Sequence, residues 1–111
     1  MNIKLDLKTD LPKLRAAFDA GQLQCQQAAF KPGSFCNYSG PCAVGAMLSP
    51  DERVDLDVRH SNDSVRSLTF DGVVDAPEEQ HGDLARLQRL HDKGMVRHLG
   101  DFLSNLEDKY A

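Results

Sequence analysis

The sequence predicts a mainly α-helical chain with a minor β element: one domain over 1–111, a compact bundle of short helices closed by a C-terminal antiparallel helix pair. Leucines recur at helical spacing through the last third, Ser-Pro-Asp-Glu at 49–52 has the form of a helix start, and only residues 3–7 alternate with period two. With 111 residues and 41% hydrophobic content a single core suffices, since a chain of this size buries roughly two-thirds of its unfolded surface.

In chain order, Ile3, Leu5 and Leu7 alternate with Lys4 and Asp6, the pattern of a short strand or extended arm that needs a partner. Thr9 or Asp10 is the expected cap of a first helix, with Pro12 early and Leu11, Leu14 and Phe18 along one side; Gly21 stops it. Residues 22–41 hold glutamines, Pro-Gly and Gly-Pro pairs and isolated aromatics without sustained period, and read as a loop with room for a short hairpin. Helix signals resume at Ser39, with Val44, Met47 and Leu48 on one side and Gly45 inside, where close packing explains a glycine better than helix preference does.

Ser49 and Glu52 suit a capping box around Pro50, starting a helix with Val54 and Leu56 or Val58 inward and Asp51, Asp55 and Asp57 toward water. His-Ser-Asn-Asp at 60–63 offers a cap before Val65 and Leu68, and Asp71-Gly72 between apolar residues is a hairpin-type turn signal. Asp75, Pro77, Glu78 and Glu79 make an acid-rich helix start, Leu84, Leu87 and Leu90 follow, and Lys93-Gly94 ends that helix. Val96, Leu99, Phe102, Leu103 and Leu106 form the stripe of the last helix.

Thirteen Lys and Arg against 17 Asp and Glu give a net charge of −4. Scattered bases in an acidic chain argue against a phosphate-tracking protein, so direct nucleic-acid binding is not expected. An acidic face instead suits a protein partner with a basic surface. The residues placed on that face are Asp51, Asp55 and Asp57 with Glu78, Glu79 and Asp83. The bland reading of the same acids is solvated helix faces and N-terminal charges. No signal-peptide core and no run of 18 apolar residues occurs, so a cytoplasmic protein without membrane contact is expected.

Cys25, Cys36 and Cys42 cannot all pair within one chain and read as free thiols. Their separations, ten and five residues, do not suit the tight ligand pairs of zinc sites, and no metal or cofactor is expected. Cys42 after Ser39-Gly40-Pro41 falls in the first turn of the expected helix, where the dipole favours a thiolate. A nucleophile also needs a base from among His60, His81, His91 and His98; His91 stands out because Asp92 follows it, although adjacent helix residues do not usually aim at each other. The competing reading is a small apolar residue buried beside Val44 and Met47. The chain has no G-x-S-x-G, P-loop or dinucleotide fingerprint.

Two stretches, "FCNYSGPCAVGAML" and "LQRLHDKGMVRHLGDFLSNLE", resemble a group of small uncharacterised phage and prophage proteins. The shared pattern is a Cys-x-x-Gly segment, a leucine-rich helix, an Asp-x-Gly turn and a striped last helix, matched here at Cys42, Gly45, Leu90, Asp92, Gly94, Phe102 and Leu106. The resemblance covers the central and C-terminal parts; the first forty residues and the 51–75 stretch depart from it. It implies a largely helical phage-borne accessory protein and supplies no activity and no site. Together with the acidic balance, it leads to the expectation of a non-enzymatic binding protein, an inhibitor of a host defence complex of the anti-CRISPR kind. The alternative is a small cysteine hydrolase or transferase using Cys42 with His91 or His98.

Overall fold

The alternating arm finds its partner seventy residues away. The computed structural model describes residues 3–23, 42–60 and 64–111, and in it β1 (Ile3–Lys4) lies parallel to β2 (Val74–Asp75), with Ile3 opposite Val74. The Ile3 and Leu5 amides donate to the Val73 and Asp75 carbonyls, each at 3.0 Å. Ile3, Leu5 and Val74 are buried, which is why the alternation exists. The strand is two residues long and not five because Leu7 already begins a helix.

That helix, α1 (Leu7–Asp19), is capped by Asp6 and not by Thr9 or Asp10. The Asp6 carboxylate accepts from the Lys8 amide and the Asp10 carboxylate accepts from the Asp6 amide, both at 3.0 Å. Starting three or four residues early places Pro12 inside the helix, and the carbonyl that loses its donor is that of exposed Lys8, where water can substitute. Gln80 supplies the reason for the early start. Its side-chain oxygen accepts from the Leu7 amide at 2.8 Å and its nitrogen donates to Asp6 at 2.9 Å, so a buried amide satisfies an orphan donor of α1 from across the fold.

Residues 42–48 correct the expected helix. Its proposed start at Ser39 lies outside the described residues, as does most of the 22–41 loop; within 42–48 there is a turn and one 3₁₀ turn, Gly45–Met47. Every residue of this run is buried, so it has no solvent side and no amphipathic stripe; it plugs the core against α1. The expected capping box then appears at α2 (Pro50–Arg59), with Glu52 N–H to Ser49 Oγ at 3.2 Å and Ser49 N–H to Glu52 Oε1 at 2.9 Å. Only Leu56 of its apolar residues points inward: Val54 and Val58 are 54% and 76% exposed.

The cap of α3 (Val65–Phe70) is Ser64, one residue beyond the expected 60–63 stretch, of which 61–63 lie outside the described residues. Asp71-Gly72 makes no hairpin. It ends α3: Val73 N–H donates to Leu68 at 3.0 Å and Gly72 N–H to Thr69 at 3.3 Å, with Gly72 at φ +77°. This is the Schellman pattern, and it recurs at Gly94, where Met95 and Gly94 donate to Leu90 and His91. A hairpin turn and a helix stop both require positive φ, so Asp-Gly alone does not separate them.

A short 3₁₀ turn, Glu78–Gln80, leads into α4 (His81–Asp92), and α5 (Val96–Lys109) returns along it. Lys109 and Tyr110 at the far end of α5 both reach Asp83 in the first turn of α4, which makes the pair antiparallel as expected. Leu84, Leu87 and Leu90 meet Leu99, Leu103 and Leu106 in one cluster with the apolar residues of α1, α3 and 42–48. The molecule is mainly α with a minor β element. Arg15 of α1 binds Glu107 and Ser104 of α5, and Phe18 packs where Gly100 leaves room, a Cβ there meeting the ring at 3.0 Å.

Gln80→Leu removes both bonds that join α4 to the start of α1 and leaves the Leu7 donor buried and unpaired. The expected cost is about 2 kcal/mol of unfolding free energy, measured by urea titration; an unchanged midpoint would contradict the role given to this amide.

Candidate functional site

The polar residues that the sequence marks for chemistry collect at the end of α4, inside the protein. Leu84 and Leu87 establish the inward stripe of α4, and Gln88, His91 and Asp92 continue it, so the helix turns three polar side chains into the core beneath 42–48. Gln88 Nε2 donates to Asp92 Oδ1 at 2.9 Å, and His91 Nδ1 lies 3.1 Å from the same oxygen. Gln88 Oε1 accepts from the Val44 amide at 3.4 Å, tying α4 to the Cys42 segment. His91 Nε2 has no hydrogen-bond partner among the described residues.

His91 and Asp92 do aim at each other, against the expectation for helix neighbours. Both residues lie in the last turn of α4, where Gln88 Nε2 donates to the same Asp92 oxygen that the His91 ring approaches. A carboxylate at a helix C-terminus opposes the helix dipole, and the Gln88 and His91 contacts offset that cost.

Cys42 is fully buried, and its sulfur accepts from the Gly45 amide at 3.2 Å. Burial pushes the thiol up to about 12; the Gly45 amide opposes this most, the Asp92 charge adds to the rise, and Val44 and Gln88 oppose it more weakly. Cys42 therefore does not sit in the first turn of a described helix, and its environment favours the neutral thiol. The cluster holds the residue types of a nucleophile, a base and its orienting carboxylate, but in a closed interior where the thiol stays protonated at neutral pH. Gln88 was missed in the sequence; the available signal was its place beside Leu84 and Leu87 on the inner stripe.

Cys25 and Cys36 lie outside the described residues. No group of three or more His, Cys, Asp or Glu among the described residues is placed to hold a metal ion. His60, His81 and His98 are apart from the cluster: His60 ends α2, His81 pairs its ring with the Ala76 carbonyl at 2.9 Å, and His98 is exposed on α5.

The acids divide by surroundings. Asp51, Glu78 and Glu79 are exposed, Asp57 is half-buried, and Asp55 pairs with Arg59 at 2.9 Å within α2. Asp83 is engaged inside the molecule. Burial raises its carboxyl, yet the hydrogen bonds from Tyr110 at 2.6 Å and Lys109 at 2.9 Å win and hold it below the usual carboxylate range. It is an anchor of the helix pair more than an open partner-facing acid.

Two measurements check this arrangement. In the native protein Cys42 should react with iodoacetamide at least about a hundredfold more slowly than after denaturation, followed by peptide mass spectrometry. For Asp83, a lowered folded pKa means stability present above the unfolded value of about 4 and lost as pH falls through the folded one. The difference in Tm between wild type and Tyr110→Phe should accordingly hold from pH 7 to about 5 and shrink toward pH 3.

No helix among the described residues is long and apolar enough to cross a membrane. Comparison of the chain with protein-family models, curated proteins and solved structures gave no match in any of the three.

Proposed function

We propose that this protein acts by binding another protein through its exposed acidic residues, and that Cys42 serves the core. The observation that carries the reading is the closed environment of Cys42: a fully buried thiol pushed up to about 12 is a poor nucleophile, while Glu78 and Glu79 stand in water at the entry to α4. Charge on a rim steers encounter and selects a partner of opposite sign, so the partner carries a basic surface. The resemblance to phage and prophage accessory proteins narrows the proposal to an inhibitor that occupies a component of a host defence complex.

The exposed acids that carry this role are Glu78, Glu79 and Asp51; Asp55, half-buried and paired with Arg59, half-buried Asp57 and anchored Asp83 add charge from partly covered positions. Reversal by Glu78→Lys with Glu79→Lys should weaken capture of the partner from a bacterial lysate by about tenfold. Tm should move by no more than a few degrees, as for surface substitutions. Full capture by this variant and by Asp51→Lys with Asp55→Lys would overturn the acidic-face mechanism.

A further inference from the structure

The protein also carries the opposite surface. A groove of about 560 Å³ runs between α4 and α5, with Leu90, Met95, Phe102 and Leu106 among its lining residues. Met95 is 36% exposed there. Along the α4 rim stand Arg86, Arg89 and Lys93, all exposed. Arg86 lies over the Phe102 ring at 4.7 Å, and Arg89 and Lys93 form no ion pair among the described residues. The lining holds four of the chain's 13 Lys and Arg, Lys109 being the fourth, but only two of its 17 acids, Asp83 and Asp101. The groove is thus net positive on a chain of charge −4.

A complement to that groove exists on the same molecule. On α2, Asp51, Val54, Asp55 and Val58 fall at i, i+3, i+4 and i+7, one stripe of a helix; Asp51 is exposed, and Asp55 would exchange its 2.9 Å pairing with exposed Arg59 for the groove cations. The two valines are 54% and 76% exposed, an apolar pair left in water beside acidic residues. The ten residues of α2 extend about 15 Å, and the α4 cations from Arg86 to Lys93 span about 10 Å, so the acidic stripe fits along the basic rim.

We infer that α2 of a second copy of this chain docks in the α4–α5 groove, its valines against Met95 and Phe102 and its Asp51 and Asp55 toward Arg89 and Lys93. This is the helix-in-groove mode, read by apolar anchors at i and i+4 with charges setting orientation. A contact the size of one short helix is below the area of a stable interface, so the association is weak and concentration-dependent. It goes beyond partner capture, since Arg89 and Lys93 have no part in that proposal.

The test is sedimentation of the full chain up to about 1 mM, the range of weak association. The apparent mass should rise above 12.3 kDa with concentration. Arg89→Glu with Lys93→Glu should weaken association about tenfold, as should Asp51→Lys with Asp55→Lys, and an equimolar mixture of the two variants should restore it. Val54→Ser with Val58→Ser, which replaces the two exposed apolar side chains by smaller polar ones, gives a second loss variant without charge change. A monomer at every concentration, association unchanged by all the variants, or a mixture that fails to associate would each overturn the inference. Loss of association with the Arg89/Lys93 variant while that variant still captures the basic partner separates this contact from partner capture.

Discussion

The fold depends on one buried amide. Gln80 stands just before α4 and holds the first turn of α1 through Leu7 and Asp6, seventy-three and seventy-four residues away in sequence. Such a contact closes a long loop, so its loop-closure entropy must be met by many apolar contacts made together. Those contacts are present: Ile3 and Leu5 beside Val74, and Leu7 and Leu14 in the common cluster with the α4 and α5 leucines. The two-residue sheet is too short to stand alone and is better understood as the edge of this docking than as a structural layer.

A second buried amide, Gln88, repeats the device at the other end of α4. It takes the Val44 amide and gives to Asp92, joining the irregular 42–48 run to a regular helix. The run needs such partners, because a fully buried segment with little regular structure must place its backbone polar groups elsewhere. Cys42 uses the Gly45 amide in the same way. The reactive-looking residues thus belong to the hydrogen bonding of the interior, and removing the charge of Asp92 would disturb packing before it touched any chemistry.

On the outer faces charge is unevenly distributed. Acids crowd α2 and the entry to α4, while Arg89 and Lys93, which form no ion pair among the described residues, stand with Arg86 on a rim of α4. A protein with both signs in separate patches has two ways to meet a surface, one toward a basic partner and one toward an acidic helix. Asp83 belongs to neither in full, since Lys109 and Tyr110 hold it as the clasp of the antiparallel pair.

Much of this was legible in the sequence wherever the signal was local. The Ser49-Glu52 capping box, the Gly21 and Gly94 stops and the α4 and α5 stripes follow from hydrogen bonding and periodicity within a few residues, and each is present. The Asp71-Gly72 turn was misjudged because positive φ serves hairpins and helix stops alike. The 42–48 run was misjudged because an apolar stretch buried on all sides has no period to read. Of the candidate site, the residue types at Cys42, His91 and Asp92 were visible, but their enclosure and the part of Gln88 were not. The amino-acid sequence by itself determined the mainly helical class and most helix ends, which are short-range free energies. Only the tertiary structure decided that Gln80 joins the start of α1, that β1 meets β2, and that Gln88 ties the Cys42 segment to α4, because these depend on groups brought together from forty-four to seventy-four residues apart.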